Sequence, residues 1–88
     1  MKLLKKVKVK NALGLHARPA TVIAKLLQGT SASVSFTYRK ETVNARSIMS
    51  ILMLAVTKNS QITIEVEGRD AEEIMQRLVV AFDKKFGE

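Results

Sequence analysis

The 88-residue chain contains no cysteine and no tryptophan, and only one histidine, one proline and one tyrosine. Without cysteine, neither a disulfide framework nor a thiolate metal site can hold the fold or do chemistry, and a reducing cytoplasm suits such a chain. A single histidine makes a clustered metal site a poor reading as well, so no metal is expected. No apolar run approaches the ~20 residues that cross a bilayer, which argues against membrane insertion. The opening MKLLKKVKVK is basic like the start of a signal peptide, yet no apolar core or cleavage site follows it, so export is not expected. Acidic residues are also scarce: eight against fifteen Lys and Arg, for a net charge of +7. That balance suits acidic partners without choosing among them. For Lys2, Lys5, Lys6, Lys8 and Lys10 the plainer reading is the solvated outer face of a first strand. Three phenylalanines at core spacings and one tyrosine leave little for base stacking, so a nucleic-acid partner is not expected. Repeats, low-complexity tracts and linkers are missing too, and residues 1–88 read as a single domain.

What is present is strong periodicity. Val7 and Val9 alternate with lysines as a half-buried strand does. After Pro19, Ala20, Ile23, Ala24 and Leu27 recur at helical spacing, predicting a helix over 17–28 that stops at Gly29. Ala32, Val34, Phe36 and Tyr38 alternate with small polar residues in a second strand. Arg39, Lys40 and Glu41 turn the chain into a short third strand at 42–44. The apolar run SIMSILMLAV fits a short helix better than a strand because Ser47 suits its N-cap. Ile62, Ile64 and Val66 mark a fourth strand ended by Gly68. Asp70 with Glu73 predicts a capping box, and Ile74, Met75, Leu78, Phe82 and Phe86 one face of a closing helix ended by Gly87. The order β-α-β-β-α-β-α predicts an α+β fold. A four-stranded antiparallel sheet is covered on one face by three helices in a two-layer, open-faced sandwich.

The one histidine stands at the start of the first helix. There the unpaired backbone N–H groups and the helix dipole favour a neutral, nucleophilic ring and make an anion site. His is not a favoured capping residue, so capping does not explain it. A phosphoryl group on His16 could be held by the N–H groups near Ala17 and Arg18 and by the forked guanidinium of Arg18. Acyl transfer would need an orienting acid near the ring, and the nearest carboxylate along the chain is Glu41.

The stretch Gly14-Leu15-His16-Ala17-Arg18-Pro19-Ala20 resembles the active-site signature of the HPr family. These are the histidine-containing phosphocarriers of the bacterial phosphoenolpyruvate-dependent phosphotransferase system. VNARSIMSILML, from Val43 to Leu54, is similar to the family's regulatory serine and following helix, and QITIEVEG to its last strand. The resemblance covers nearly the whole chain, and the element order read above is the family's. It implies that His16 accepts a phosphoryl group on Nδ1 from Enzyme I and passes it to Enzyme IIA domains, with Arg18 as the active-site arginine. It implies a stoichiometric, cytoplasmic carrier rather than an enzyme, monomeric and without a cofactor of its own. Many relatives, chiefly of Gram-positive type, are phosphorylated at the position of Ser47 by an HPr kinase/phosphorylase. In the short helix Ile51, Leu52 and Ala55 suffice for a core-facing stripe, which leaves Ile48, Met49 and Met53 as a candidate docking face, with Thr21 beside it on the first helix. Ser50, Ala55 and Asn59 fall where relatives often carry glycine, and Met53 where a small hydroxyl residue is common. LGLHARPA, ILML and LLQG also resemble the nitrogen-related branch, so a purely regulatory carrier is the alternative to one serving sugar uptake.

Overall fold

The computed structural model describes residues 1–88. Its elements are β1 (Lys2–Lys8), α1 (Ala17–Leu27), β2 (Ser33–Tyr38), β3 (Glu41–Asn44), α2 (Ile48–Leu54), β4 (Gln61–Glu67) and α3 (Ala71–Asp83), followed by a 3-10 turn at Lys85–Gly87. The strands form one antiparallel sheet in the order β1-β4-β2-β3. Alternation decides its two faces. Ile62, Ile64 and Val66 of β4 are buried beside Val34 and Phe36 of β2, while Thr63, Glu65, Ser35 and Thr37 look out from the open face. The three helices cover the inner face, as the periodicity predicts. Phe36 meets Phe82 of α3 edge to face with ring centroids 5.7 Å apart, joining the two layers. No helix is long and apolar enough to cross a membrane.

The first strand is longer than its valines indicate, because Leu3 pairs with Val66 and carries the ladder back to Lys2. Lys2, Leu4, Lys6 and Lys8 share the open face, whereas Lys5 stands opposite Ile64 on the core side and still reaches solvent from this edge strand. The turn at Arg39 and Lys40 is left-handed at both residues (φ 50° and 71°), as a two-residue hairpin requires, and Asn59 is left-handed as well (φ 69°).

Three expectations need correction. The closing helix does not run to Phe86: it ends at Asp83, and Lys85 and Phe86 turn left-handed (φ 55° and 54°), which delivers the Phe86 ring onto Phe82 by a turn instead. The Asp70–Glu73 capping box does not form. Asp70 has ψ 24°, not the extended value that aims a side chain at the first-turn N–H groups, and Glu73 pairs with Arg77 at 2.7 Å. In α2 the buried residues are Ile51 and Leu54, not Ile51, Leu52 and Ala55. Ala55 leaves the helix in a left-handed C-cap (φ 54°), and Leu52 lies partly exposed with the outward residues.

Candidate functional site

The loop that delivers the histidine is fixed by a close approach. Gly14 has φ 66°, and a Cβ there would stand 2.0 Å from the carbonyl oxygen of Val56, so no side chain fits. Leu15 N–H donates to that same carbonyl at 3.1 Å, and the buried Leu15 side chain anchors the segment in the core. His16 follows as the N-cap residue of α1, with extended backbone (φ −83°, ψ −169°) and no side-chain capping bond. Its carbonyl accepts from Ala20 N–H at 3.1 Å, and Pro19 has no N–H. The N–H groups of Ala17 and Arg18 are therefore the donors that the helix start leaves without an intrahelical partner. Arg18 adds a guanidinium that is largely in solvent.

The end of the chain supplies a carboxylate that sequence distance conceals. Glu88 Oε2 lies 2.9 Å from His16 Nε2 and 3.9 Å from an Arg18 guanidinium nitrogen. It is Glu88, not Glu41, that the fold brings to the ring. Nε2 is thus engaged while Nδ1 has no hydrogen-bond partner within the chain. Partial burial pushes the Glu88 carboxyl up, but hydrogen bonds from Asn11 and His16 and the charges of His16 and Arg18 outweigh it and hold the group below its ordinary value. Asn11, Leu13, His16, Lys85 and Glu88 line a groove of about 270 Å³. No cluster of three or more His, Cys, Asp or Glu that could hold a metal ion occurs in the chain.

Ser47 opens α2 as its N-cap: the hydroxyl oxygen accepts from Ser50 N–H at 3.1 Å, and the carbonyl accepts from Ile51 N–H. Arg46 beside it is committed elsewhere. Its guanidinium donates to the carbonyls of Leu27, Thr30 and Ala32 and to the Thr30 hydroxyl, clamping the end of α1 to the start of α2. Past the cap, Ile48, Met49, Leu52 and Met53 present an exposed apolar face, Met49 and Met53 being 66% and 74% accessible. Helix α2 packs against α1, and Leu13, also exposed, lies in the loop before His16. Thr21 is exposed on α1, with its hydroxyl donating back to Ala17 O at 2.9 Å. Asn11, Arg46 and Glu88 escape sequence reasoning, since each acts through partners far along the chain and none lies in a periodic pattern.

Comparison with known proteins finds one family along nearly the whole chain. A family model described as "PTS HPr component phosphorylation site" matches residues 3–84. The chain is 46% identical over 80 residues to the phosphocarrier protein HPr of Chlamydia muridarum (strain MoPn / Nigg), covering 91% of this chain and 77% of that protein. Its fold superposes on HPr-C-His from Thermoanaerobacter tengcongensis with a TM-score of 0.92 at 35% identity, over 98% of this chain and 97% of the other. For HPr from Bacillus anthracis str. Ames the TM-score is 0.84 at 39% identity, covering 90% and 94% of the two chains.

Proposed function

The chain belongs to the HPr family of phosphotransferase-system phosphocarriers, and from that membership we propose that His16 is the residue that carries the phosphoryl group. The observation that carries the reading is the pairing of an uncapped helix start with a ring whose Nε2 is engaged and whose Nδ1 is open. In the forward step the Nδ1 lone pair attacks phosphorus on a phosphohistidine of Enzyme I. The donor N–P bond breaks, the donor nitrogen keeps the electron pair, and a new N–P bond forms at His16. The phosphoryl oxygens then face Ala17 N–H, Arg18 N–H and the Arg18 guanidinium. Delivery to a histidine of an Enzyme IIA domain is the same exchange with His16 as donor. A carrier must hold the group loosely enough to release it, and a solvent-facing helix start positions charge without burying it.

The exposed face of Ile48, Met49, Leu52 and Met53 is the docking surface in this reading. Methionines there adapt to unlike partners taken in turn, and the carrier works as a single cytoplasmic domain. Phosphorylation of Ser47 by an HPr kinase/phosphorylase would set nearly two negative charges beside that face and weaken docking. Arg46 cannot neutralise them, because its guanidinium is held by carbonyls behind the helix.

Incubation with Enzyme I and phosphoenolpyruvate tests the assignment directly. The wild-type chain takes up one acid-labile phosphoryl group and His16→Ala none. Acid-labile label retained by the folded variant overturns it.

A further inference from the structure

Asn11 is the one polar residue in the chain that is fully buried, at 1% exposure. Its amide nitrogen donates to Lys85 O at 2.8 Å and to Glu88 Oε1 at 2.5 Å, while its Oδ1 finds no partner. Both donations go to the last four residues of the chain. What the amide does hold is a strained segment. Lys85 and Phe86 are left-handed without being glycine, Phe86 is pinned against Phe82, and the two donations from Asn11 fix where the chain goes next. It goes to the histidine, since the Glu88 Oε1 gripped by Asn11 is also hydrogen-bonded to His16 Nε2 at 3.1 Å, with Oε2 2.9 Å from the same nitrogen.

We propose that Asn11 is a positioning residue: it holds the Glu88 carboxylate against His16 Nε2, so that the ring is oriented with Nε2 toward the carboxylate and Nδ1 open. The inference rests on the carrier reading above for its purpose, though not for its test. A carboxylate that accepts from Nε2–H selects one tautomer and one ring orientation, which is how a group behind a reactive imidazole sets which nitrogen is nucleophilic. Without the grip of Asn11 the carboxylate is free to swing into solvent and the ring to turn.

The tautomer can be read by ¹⁵N NMR of the His16 ring, with no phosphoryl donor present, in wild type, Asn11→Ala, Glu88→Gln and the double variant. The ring of the wild type is expected in the Nε2–H form, and both single variants gain Nδ1–H form. Labelling by phosphoramidate should slow about tenfold in each, the scale of one hydrogen bond to a charged group. The double variant should be no slower than Glu88→Gln alone, since both act through one contact. An unchanged tautomer in folded Asn11→Ala, or losses that multiply in the double variant, overturns the proposal. If Asn11→Ala does not fold, Asn11→Asp keeps the volume and repels Glu88, and must show the same tautomer shift. Failure of the wild type to be labelled at all would count against the carrier reading, whereas the tautomer result decides the role of Asn11 separately.

Discussion

Two helix starts in this molecule solve the same problem in opposite ways. At α2, Ser47 turns its hydroxyl onto Ser50 N–H and closes the end, and Arg46 secures the approach from behind. At α1, His16 occupies the capping position and caps nothing, the next residues leave two N–H groups over, and Arg18 extends into solvent. A cap contributes about 1 kcal/mol. Leaving it out at α1 gives up that stabilisation and, in the proposed reading, leaves room for an anion in its place. If the proposed function holds, the contrast separates a helix start built for stability from one built for a ligand, and substitutions at each should fail in different assays.

The largest effect expected of a folded variant that still has its histidine lies at the open start. Arg18→Ala should slow phosphoryl transfer in both directions about a hundredfold, the scale of about 2.7 kcal/mol for one charge-assisted donor, without altering the urea midpoint. An unchanged rate in rapid-quench transfer assays would leave the anion site to the backbone N–H groups. Next comes the apolar face of α2. Met49→Glu should weaken binding to Enzyme I and to an Enzyme IIA domain alike by about 2 kcal/mol, because the new charge is hydrated in the free protein and must be desolvated on docking. Calorimetric titration with each partner checks this. Normal binding by a folded Met49→Glu would move the docking surface to α1, around Thr21. Smaller again is the cap itself. Ser47→Ala should lose about 1 kcal/mol in denaturant titration while accepting phosphoryl groups at the wild-type rate, and His16→Ala should unfold near the wild-type midpoint. Equal losses at the two helix starts would erase the distinction between them.

How far the sequence discloses these regions follows from the range of the interactions that build them. The sheet and its helices are legible because alternation and helical spacing are local, and His16 and Ser47 are legible because each stands at a visible helix boundary. The capping box at Asp70 fails although its residues are present, since a cap also needs an extended backbone that no sequence pattern guarantees. The break after Asp83 is hidden because Phe86 keeps its helical spacing to Phe82 and still packs on it, through a left-handed turn that Lys85 and Phe86 do not advertise. The inward stripe of α2 is misjudged at Leu52 and Ala55 because seven residues give too few turns to fix a helix's rotation. Asn11, Arg46 and Glu88 lie beyond any local rule: their partners are 14 to 77 positions away.

Glu88 offers the smallest effect on stability, and one that divides the two helix starts by pH. Its carboxyl is held below its ordinary value of 4.5, because the bonds from Asn11 and His16 and the charges of His16 and Arg18 outweigh the burial that pushes it up. A carboxyl depressed in the folded state stabilises fully above its unfolded value, and that contribution is lost as the pH falls through the folded value. Wild type should therefore be slightly more stable than Glu88→Gln at pH 7, with the gap closing below pH 4.5. No titrating group takes part in the Ser47 cap, so the deficit of Ser47→Ala should stay constant over the same range. Urea midpoints for the three proteins between neutral and acid pH are enough to see it. A Glu88→Gln gap that persists into acid would mean that Glu88 supports the α1 start by packing and not by charge, and the electrostatic half of the contrast would fall.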